Sequence, residues 1–363
     1  MTALRRHRGT ILVNGLLAAI CVVWLLPTVG LAVSSLRTRD EILEAGWWSF
    51  LPHQEWATVD VRPIPQDVGD SVVAIEGVRG TFDQLRSGIV TEDGRRVVWL
   101  GNRRAGRLEI QERRWVAGVD FTLENYDFVL TGKQYEFTDA EGNTTVQRGK
   151  DFGTAMLNSI AVTIPSTVIP MTIAAFAAYA FAWLRFRGRA VLFGILVALL
   201  VVPLQIALVP ILRDYAQVGL NGTFLGLWLA HTGFGIPIAI FIMFTYMRQL
   251  PREVIESAVV DGASHFTIFV RLIVPLSVPV LAAYGIFQFL WVWNDYLVAL
   301  IFIGNRPDTQ VLTMRLAELV GTFGNDWHLL TSGAIVSMII PLAVFFALQR
   351  YFIRGLLGGS VKG

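Results

Sequence analysis

The chain carries a polar block, ESAVVDGASHFTIFVRLIVPLSVP, at residues 256–279, between two apolar runs at residues 225–247 and 279–303. Pro251 can open a short helix ahead of Glu256, because its missing N–H is not needed at the first helical position. Asp261-Gly262 then permits a sharp turn, since glycine tolerates backbone angles that other residues avoid. The block therefore predicts one short helix, to about Val260, and a turn after it.

A second short helix is predicted after the turn. Its apolar residues recur at helical spacing, at Phe266, Phe269, Val270 and Ile273. We expect Pro275 and Pro279 to end it before the chain enters the next apolar run. Two short amphipathic helices between two apolar runs predict a docking element for another protein.

The composition places the chain in the membrane class, with 54% hydrophobic and 16% charged residues. A helix needs roughly 20 apolar residues to cross the hydrocarbon core of a membrane. The long apolar runs of this chain do not alternate between apolar and polar residues as the strands of a membrane barrel do. We therefore expect an all-α polytopic membrane protein. Its six predicted transmembrane helices are residues 11–33, 158–183, 190–212, 225–247, 279–303 and 328–349.

Arginine and lysine near short loops predict the orientation, because cytoplasmic loops carry an excess of them. One side carries Arg5, Arg6, Arg8, Arg185, Arg187, Arg189, Arg248, Arg252, Arg271, Arg350, Arg354 and Lys362. The short loops of the other side carry Arg213, Arg306 and Arg315. We expect both termini and residues 250–279 to be cytoplasmic. The net charge of +2 gives no signal for nucleic acid.

A long polar segment, residues 37–153, separates the first two predicted spans. It contains alternating runs, such as residues 71–75 and 96–100, separated by turn signals at residues 92–94 and 141–143. We expect a small β-rich extracytoplasmic insertion. The predicted organisation is residues 1–36 for the N-terminus and first span, 37–153 for the insertion, 154–349 for spans two to six, and 350–363 for a cytoplasmic tail.

The polar block resembles the EAA motif of ABC importer permeases, in which E-A-A is followed by D-G-A and later by P-L-x-x-P. Here the three parts read Glu256-Ser257-Ala258, Asp261-Gly262-Ala263 and Pro275-Leu276-Ser277-Val278-Pro279. Ser257 departs from the pattern, but it exchanges one small residue for another. Further matches indicate the MalG-like subfamily, which serves carbohydrates: residues 121–126, 158–159, 177–182, 185–188, 203–205, 293–296 and 349–352. The long insertion and WLAHTGFG at residues 228–235 look more like the alpha-glucoside transport permeases.

The resemblance implies an ABC importer permease fold and a permease subunit that couples to a separate ATPase. The implied coupling residues are Glu256, Ser257, Ala258, Asp261, Gly262, Ala263, Phe266, Phe269 and Pro275. Glu256 would pair with a basic ATPase residue or cap a neighbouring helix, and Phe266 and Phe269 would enter a cleft on the ATPase. The tail would reach the ATPase through Gly358, Gly359 and Lys362, unless it is simply a frayed terminus.

The implied partners are a second permease, two ATPase subunits, an extracytoplasmic sugar-binding protein and membrane lipid. The sequence itself has no phosphate-binding loop, since Gly149-Lys150 is followed by Asp151, and no paired-cysteine metal site. We therefore expect no enzyme activity and no cofactor in this chain, with ATP and Mg²⁺ bound by the partner ATPase.

Polar residues within the predicted spans are functional candidates, because burying them in lipid costs free energy. The candidates for a translocation pathway are Gln205, Trp293, Asn294, Asp295 and Tyr296. Contacts between helices explain Asn294 equally well, and interfacial aromatic belts explain Trp293 and Tyr296. His231 fits an ordinary interfacial side chain.

Two other classes of protein compete with the importer. A membrane sensor would use the insertion to set the state of the helices. A secondary transporter would need paired charges within the membrane, and Asp295 has no evident partner in the sequence.

Overall fold

The computed structural model describes residues 2–63, 73–75, 78–101, 106–116, 121–131, 134–138, 144–149, 151–322 and 326–358. The chain divides into two compact units. One comprises residues 1–33 and 37–122, and the other comprises residues 34–36 and 123–363.

The first unit contains most of helix α1, two short helices and six strands. Their bounds are α1 Thr2–Ser35, α2 Arg39–Glu44, β1 His53–Pro63, β2 Val73–Ile75, β3 Val78–Gly80, α3 Phe82–Ser87, β4 Ile89–Val90, β5 Arg96–Leu100 and β6 Arg107–Val116. A 3-10 turn at Trp47–Phe50 precedes β1. Four strands form an antiparallel sheet in the order β1-β6-β5-β4, and β2 pairs with β3.

The sheet buries its inward-facing side chains against α3. Leu85 of α3 packs with Val97, Trp99 and Leu108, and Phe82 meets Trp99 edge to face. The alternation of side chains along a strand puts Val97 and Trp99 on the same face, where both contact the cluster around Leu85. The run at residues 96–100 coincides with β5.

The second unit is mostly helical. Its elements are α4 Glu124–Leu130, β7 Gln134–Thr138, β8 Thr144–Arg148, α5 Phe152–Trp183, α6 Arg189–Leu199, α7 Leu204–Gln217, α8 Phe224–Met247, α9 Arg252–Val260, α10 His265–Ile268, a π-helical turn Phe269–Ile273, α11 Val274–Leu276, α12 Val278–Trp293, α13 Leu297–Ile303, α14 Leu312–Thr322 and α15 Trp327–Gly358. Helix α5 packs most extensively on α8, and α12 packs on both α5 and α15.

Among the described residues, four helices are long and apolar enough to cross a membrane, and up to six spans result if each of two bent pairs counts as one. The four are residues 9–35, α5, α8 and residues 327–350. Only 6% of the most apolar window of the first helix is buried within the chain. Such a surface suits contact with lipid, because exposed apolar side chains of this extent are unfavourable in water.

Two predicted spans differ from the observed helices. The run at residues 190–212 is bent by 102° between α6 and α7, where Pro203 precedes the first residue of α7. Proline lacks the N–H that a continuing helix requires, which accounts for the interruption. The run at residues 279–303 is divided into α12 and α13, and the carboxylate of Asp295 accepts from the N–H groups of Val298 and Ala299 at the start of α13.

The prolines of the polar block do not end the second short helix as expected. Pro275 lies within α11 and Pro279 lies in the first turn of α12, where a missing N–H is tolerated. The chain instead bends by 73° between the segment 265–276 and α12, around the buried Ser277. Helix α15 also continues beyond residue 349 to Gly358, into the predicted tail.

Candidate functional site

Helix α9 presents one buried side and one exposed side. Ile255 is buried in a cluster that includes Ile268, Phe269 and Tyr179. Glu256 and Ser257 are exposed, and Ala258 is half-buried. Glu256 forms neither an ion pair nor a helix cap among the described residues. Its carboxylate is therefore free to meet a group on another molecule.

Backbone hydrogen bonds fix the turn after α9. The N–H of Gly262 donates to the carbonyl of Val259, and the N–H of Ala263 donates to the carbonyl of Ala258, both at 3.0 Å. This is a Schellman motif, and it requires the positive φ of 77° that Gly262 adopts. The exposed side chain of Asp261 forms no hydrogen bond with the described residues, so the turn does not depend on its carboxylate.

Of the two phenylalanines predicted to enter an ATPase cleft, one is exposed and the other is buried. Ser264 caps α10 by accepting from the N–H of Thr267 at 3.2 Å. Phe266 is 67% exposed, whereas Phe269 is only 5% exposed. Phe269 stacks on Phe176 of α5, with the ring centroids 4.4 Å apart. The expectation that Phe269 enters an ATPase cleft therefore needs correction, because its own chain already covers it.

Three contacts attach the block to the long helices. The hydroxyl of Tyr179, near the end of α5, lies 3.0 Å from Nδ1 of His265, and its ring lies against Phe269. The hydroxyl of Tyr246, near the end of α8, donates to the carbonyl of Leu276 at 3.2 Å. Local sequence patterns contain no signal for these contacts, since Tyr179 and His265 are 86 residues apart.

The predicted pathway residues do not form one lining. Trp293 is buried, donates from Nε1 to the carbonyl of Ser337 at 3.0 Å and stacks on Phe289, so it belongs to the core between α12 and α15. Asn294 donates to Leu290 of its own helix. Gln205, at the start of α7, and Tyr296 are exposed.

Asp295 has a partner that the sequence did not reveal. Its Oδ2 lies 3.7 Å from Nε2 of His231, and both side chains are nearly inaccessible to solvent. Thr313 also donates to the backbone carbonyl of Asp295 at 2.6 Å. The expectation that His231 is an ordinary interfacial residue is therefore wrong, because 99% of it is covered.

A second buried polar group joins three helices. The hydroxyl of Tyr284 lies 3.2 Å from the carbonyl of Gly235 and 3.1 Å from Oε1 of Gln288. Nε2 of Gln288 donates to the carbonyl of Ser166 at 3.2 Å. These bonds link α12, α8 and α5 at positions where water is excluded, so Gln288 contributes contacts between helices.

The structure describes one of the three predicted tail residues. Gly358 ends α15, and Gly359 and Lys362 lie outside the described residues. Among the residues that the structure describes, no group of three or more histidine, cysteine, aspartate or glutamate side chains is placed to hold a metal ion.

A model of the family described as "binding-protein-dependent transport system inner membrane component" matches residues 170–358, more than half of the chain. The chain belongs to this family. As an ABC importer permease, it resembles two curated members along most of its length. The alpha-glucoside transport system permease of Rhizobium meliloti is 43% identical over 400 residues, covering 100% of both chains. The osmoprotective compounds uptake permease of Synechocystis sp. is 44% identical over 343 residues, covering 94% of this chain and 89% of that one.

A solved structure of a bacterial ABC transporter involved in the import of the acidic polysaccharide alginate is 15% identical, with a TM-score of 0.46. The match covers 56% of this chain and 80% of that one.

Proposed function

We propose that this chain is the transmembrane permease subunit of an ABC importer for a carbohydrate and forms half of the translocation pathway. The full-length similarity to an alpha-glucoside permease supports a sugar as the substrate class and alpha-glucosides as the narrower choice. The chain itself performs no bond chemistry. ATP and Mg²⁺ would be bound by two separate ATPase subunits, and a second permease and an extracytoplasmic sugar-binding protein would complete the importer.

The observation that carries the coupling role is the surface formed by Glu256, Asp261 and Phe266. All three side chains are exposed, while the segment behind them is tied to α5 through Tyr179 and Phe269. A partner that contacts this surface differently in two states would shift the helices between those states. We assign the docking of the ATPase to it, with Ser257, Ala258, Gly262, Ala263 and Pro275 shaping the segment.

The proposed orientation follows from this role. Residues 250–279, both termini and the tail at residues 350–363 lie on the cytoplasmic side, where ATP is available. The segment at residues 37–153 then lies outside the inner membrane, and residues 154–349 supply spans two to six. In the tail, Gly358, Gly359 and Lys362 would add to the ATPase contact.

The docking surface is tested by purifying the protein from its native membrane in mild detergent and measuring the ATPase that co-purifies. Phe266→Ser should reduce the recovered ATPase, because it removes an exposed apolar contact. Phe186→Ser is the matched control, since Phe186 is also exposed and follows the end of α5. Equal recovery from both variants and the parent would refute docking through Phe266.

The buried pair of His231 and Asp295 favours a second candidate, a secondary transporter, because such proteins use paired ionisable groups within the membrane. Sugar uptake separates the two. An importer loses uptake when the phosphate-binding lysine of the partner ATPase is replaced, whereas a secondary transporter keeps it and instead loses uptake with Asp295→Asn.

A further inference from the structure

A cavity of about 640 Å³ lies at the ends of α5 and α8, beside α9. Its wall includes Trp183, Arg185, Arg189, Arg248, Arg252 and Glu256. The volume falls within the range of about 300–1,000 Å³ that small-molecule sites occupy. It is therefore larger than a bare phosphate ion needs.

The charge of the wall is strongly unbalanced. It carries the guanidinium groups of Arg185, Arg189, Arg248 and Arg252 against the single carboxylate of Glu256. Within the described part of the chain, none of these arginines forms an ion pair. Like charges held around one cavity repel each other, so an anion that enters it is stabilised.

One of the arginines in the wall also packs on an aromatic ring. Arg248 lies over the ring of Phe244, at 5.5 Å from the guanidinium carbon to the ring centroid. The cavity thus combines cationic groups with an apolar surface.

We propose that this cavity binds the phosphate headgroup of an anionic phospholipid. The arginines would contact the phosphate, and the apolar wall formed by Phe244 and Ala182 would cover the glycerol and the first acyl carbons. A lipid fits better than a soluble phosphate because the cavity lies at the ends of two apolar helices, where the membrane surface meets the protein. Basic pockets between transmembrane helices are known to hold anionic headgroups.

The cavity shares Glu256 with the surface proposed for the ATPase, whereas Asp261 and Phe266 do not line it. The lipid site depends on the proposed orientation only in assigning the lipid to the cytoplasmic leaflet. A lipid in the cavity would lie beside Glu256 and Val259 of α9 and leave Phe266 exposed.

The experiment measures lipid binding by native mass spectrometry and thermal unfolding, on protein titrated with phosphatidylglycerol or phosphatidylcholine in mixed micelles. Phosphatidylglycerol should remain bound and raise the unfolding temperature. Arg189→Gln with Arg248→Gln should weaken its apparent affinity about 30-fold, since each basic residue contributes about a fivefold effect near an anionic surface. Arg187→Gln with Arg271→Gln is the matched control, because both residues are exposed and neither lines the cavity.

Several outcomes would overturn the lipid site. One is equal loss in the control pair, which would indicate general surface charge. Another is equal binding of phosphatidylcholine, and a third is the same stabilisation by inorganic phosphate alone, which would indicate a soluble anion. If the first pair does not fold, Arg185→Gln with Arg252→Gln tests the same wall at two exposed positions. ATPase recovery, measured in parallel, reports separately on the docking surface.

Discussion

The hydroxyl of Tyr179 lies 3.0 Å from Nδ1 of His265 and joins the end of α5 to the helix that follows the Gly262 turn. Phe269 lies directly beside this bond and is covered by Tyr179 and Phe176. A partner that pushes on the exposed side of α9 and α10 would therefore move side chains that pack on α5, a helix long enough to span the membrane. The hydrogen bond between Tyr179 and His265 is the polar contact in this connection.

We expect Tyr179→Phe to reduce sugar uptake by about fivefold while the protein stays folded, because a typical hydrogen bond contributes about 1 kcal/mol. Tyr215→Phe is the control, since no hydrogen bond of the Tyr215 hydroxyl is found among the described residues and Tyr215 lies on α7, outside the polar block at residues 256–279. ATPase recovery should be unchanged in both. Normal uptake with Tyr179→Phe would show that the bond does not contribute to coupling.

We expect Gly262→Ala to weaken ATPase binding, because alanine at positive φ costs roughly 1–2 kcal/mol. That strain favours loop conformations without the Schellman turn. Because the strain is at most about 2 kcal/mol, the affinity for the ATPase should fall by no more than about 30-fold. Gly188→Ala is a close control. Gly188 has φ of 82° in another loop, and an added Cβ meets no atom within 4 Å at either glycine.

The affinity is measured by titrating the ATPase onto purified permease. A similar loss with Gly188→Ala would mean that backbone strain lowers binding without any specific role for the turn at Gly262.

The sequence predicted local features of the polar block at residues 256–279 because they depend on neighbouring residues. A helix ending near Val260 and a turn at Gly262 follow from the residues themselves, and both are observed. The inward orientation of Phe269 could not be predicted in the same way. Phe266 and Phe269 are equally apolar, and the contacts of Phe269 with Phe176 and Tyr179 in the folded chain decide which one is covered.

Contacts between the long helices could not be predicted from local sequence patterns for the same reason. Asp295 was recognised as an unusual acid, but its partner His231 lies on another helix and appeared unremarkable in sequence. The break between α12 and α13 is likewise stabilised by the side chain of Asp295, within a run that is otherwise apolar enough to continue. Hydropathy measures the length of such a run and does not report a helix start inside it.

The four-stranded sheet contains a buried carboxylate, Glu109, whose contribution to the stability of the sheet depends on pH. Oε2 of Glu109 accepts from the hydroxyl of Thr58 at 2.6 Å, and Oε1 accepts from Arg107 at 3.0 Å. The bond from Thr58, aided by Gln111 and Arg107, lowers the pKa of Glu109 despite the opposing effect of burial. Its stabilising contribution is therefore present above the ordinary pKa of about 4.3 and is lost as the pH falls through the lowered value.

We expect Glu109→Gln to lower the free energy of unfolding of the sheet by about 2 kcal/mol at pH 7, and this difference should shrink in acid. Hydrogen exchange of the β5 and β6 amides measures it, at pH 7 and at about pH 3.5. Glu112→Gln is the control, because Glu112 forms an exposed pair with Arg95 and should change stability by less than about 1 kcal/mol. A difference that persists in acid would exclude the ionised carboxylate as its source.

The close approach of three helices at Gly235 gives the last prediction. A Cβ at this position would lie 2.9 Å from both the Tyr284 hydroxyl and Nε2 of Gln288. Gly235→Ala therefore has to displace buried side chains and break their bonds to α8 and α5. We expect it to lower the free energy of unfolding by about 1–3 kcal/mol.

Gly233→Ala isolates this steric effect. Gly233 lies on the same helix, and an added Cβ meets no atom within 4 Å there. Alanine should raise local helix stability slightly, because it is favoured over glycine by about 1 kcal/mol within a helix. Thermal unfolding of the two purified variants in the same detergent should therefore shift in opposite directions. If Gly235→Ala were as stable as Gly233→Ala, Tyr284 and Gln288 would have to reorient freely, and their hydrogen bonds could not hold α5, α8 and α12 together.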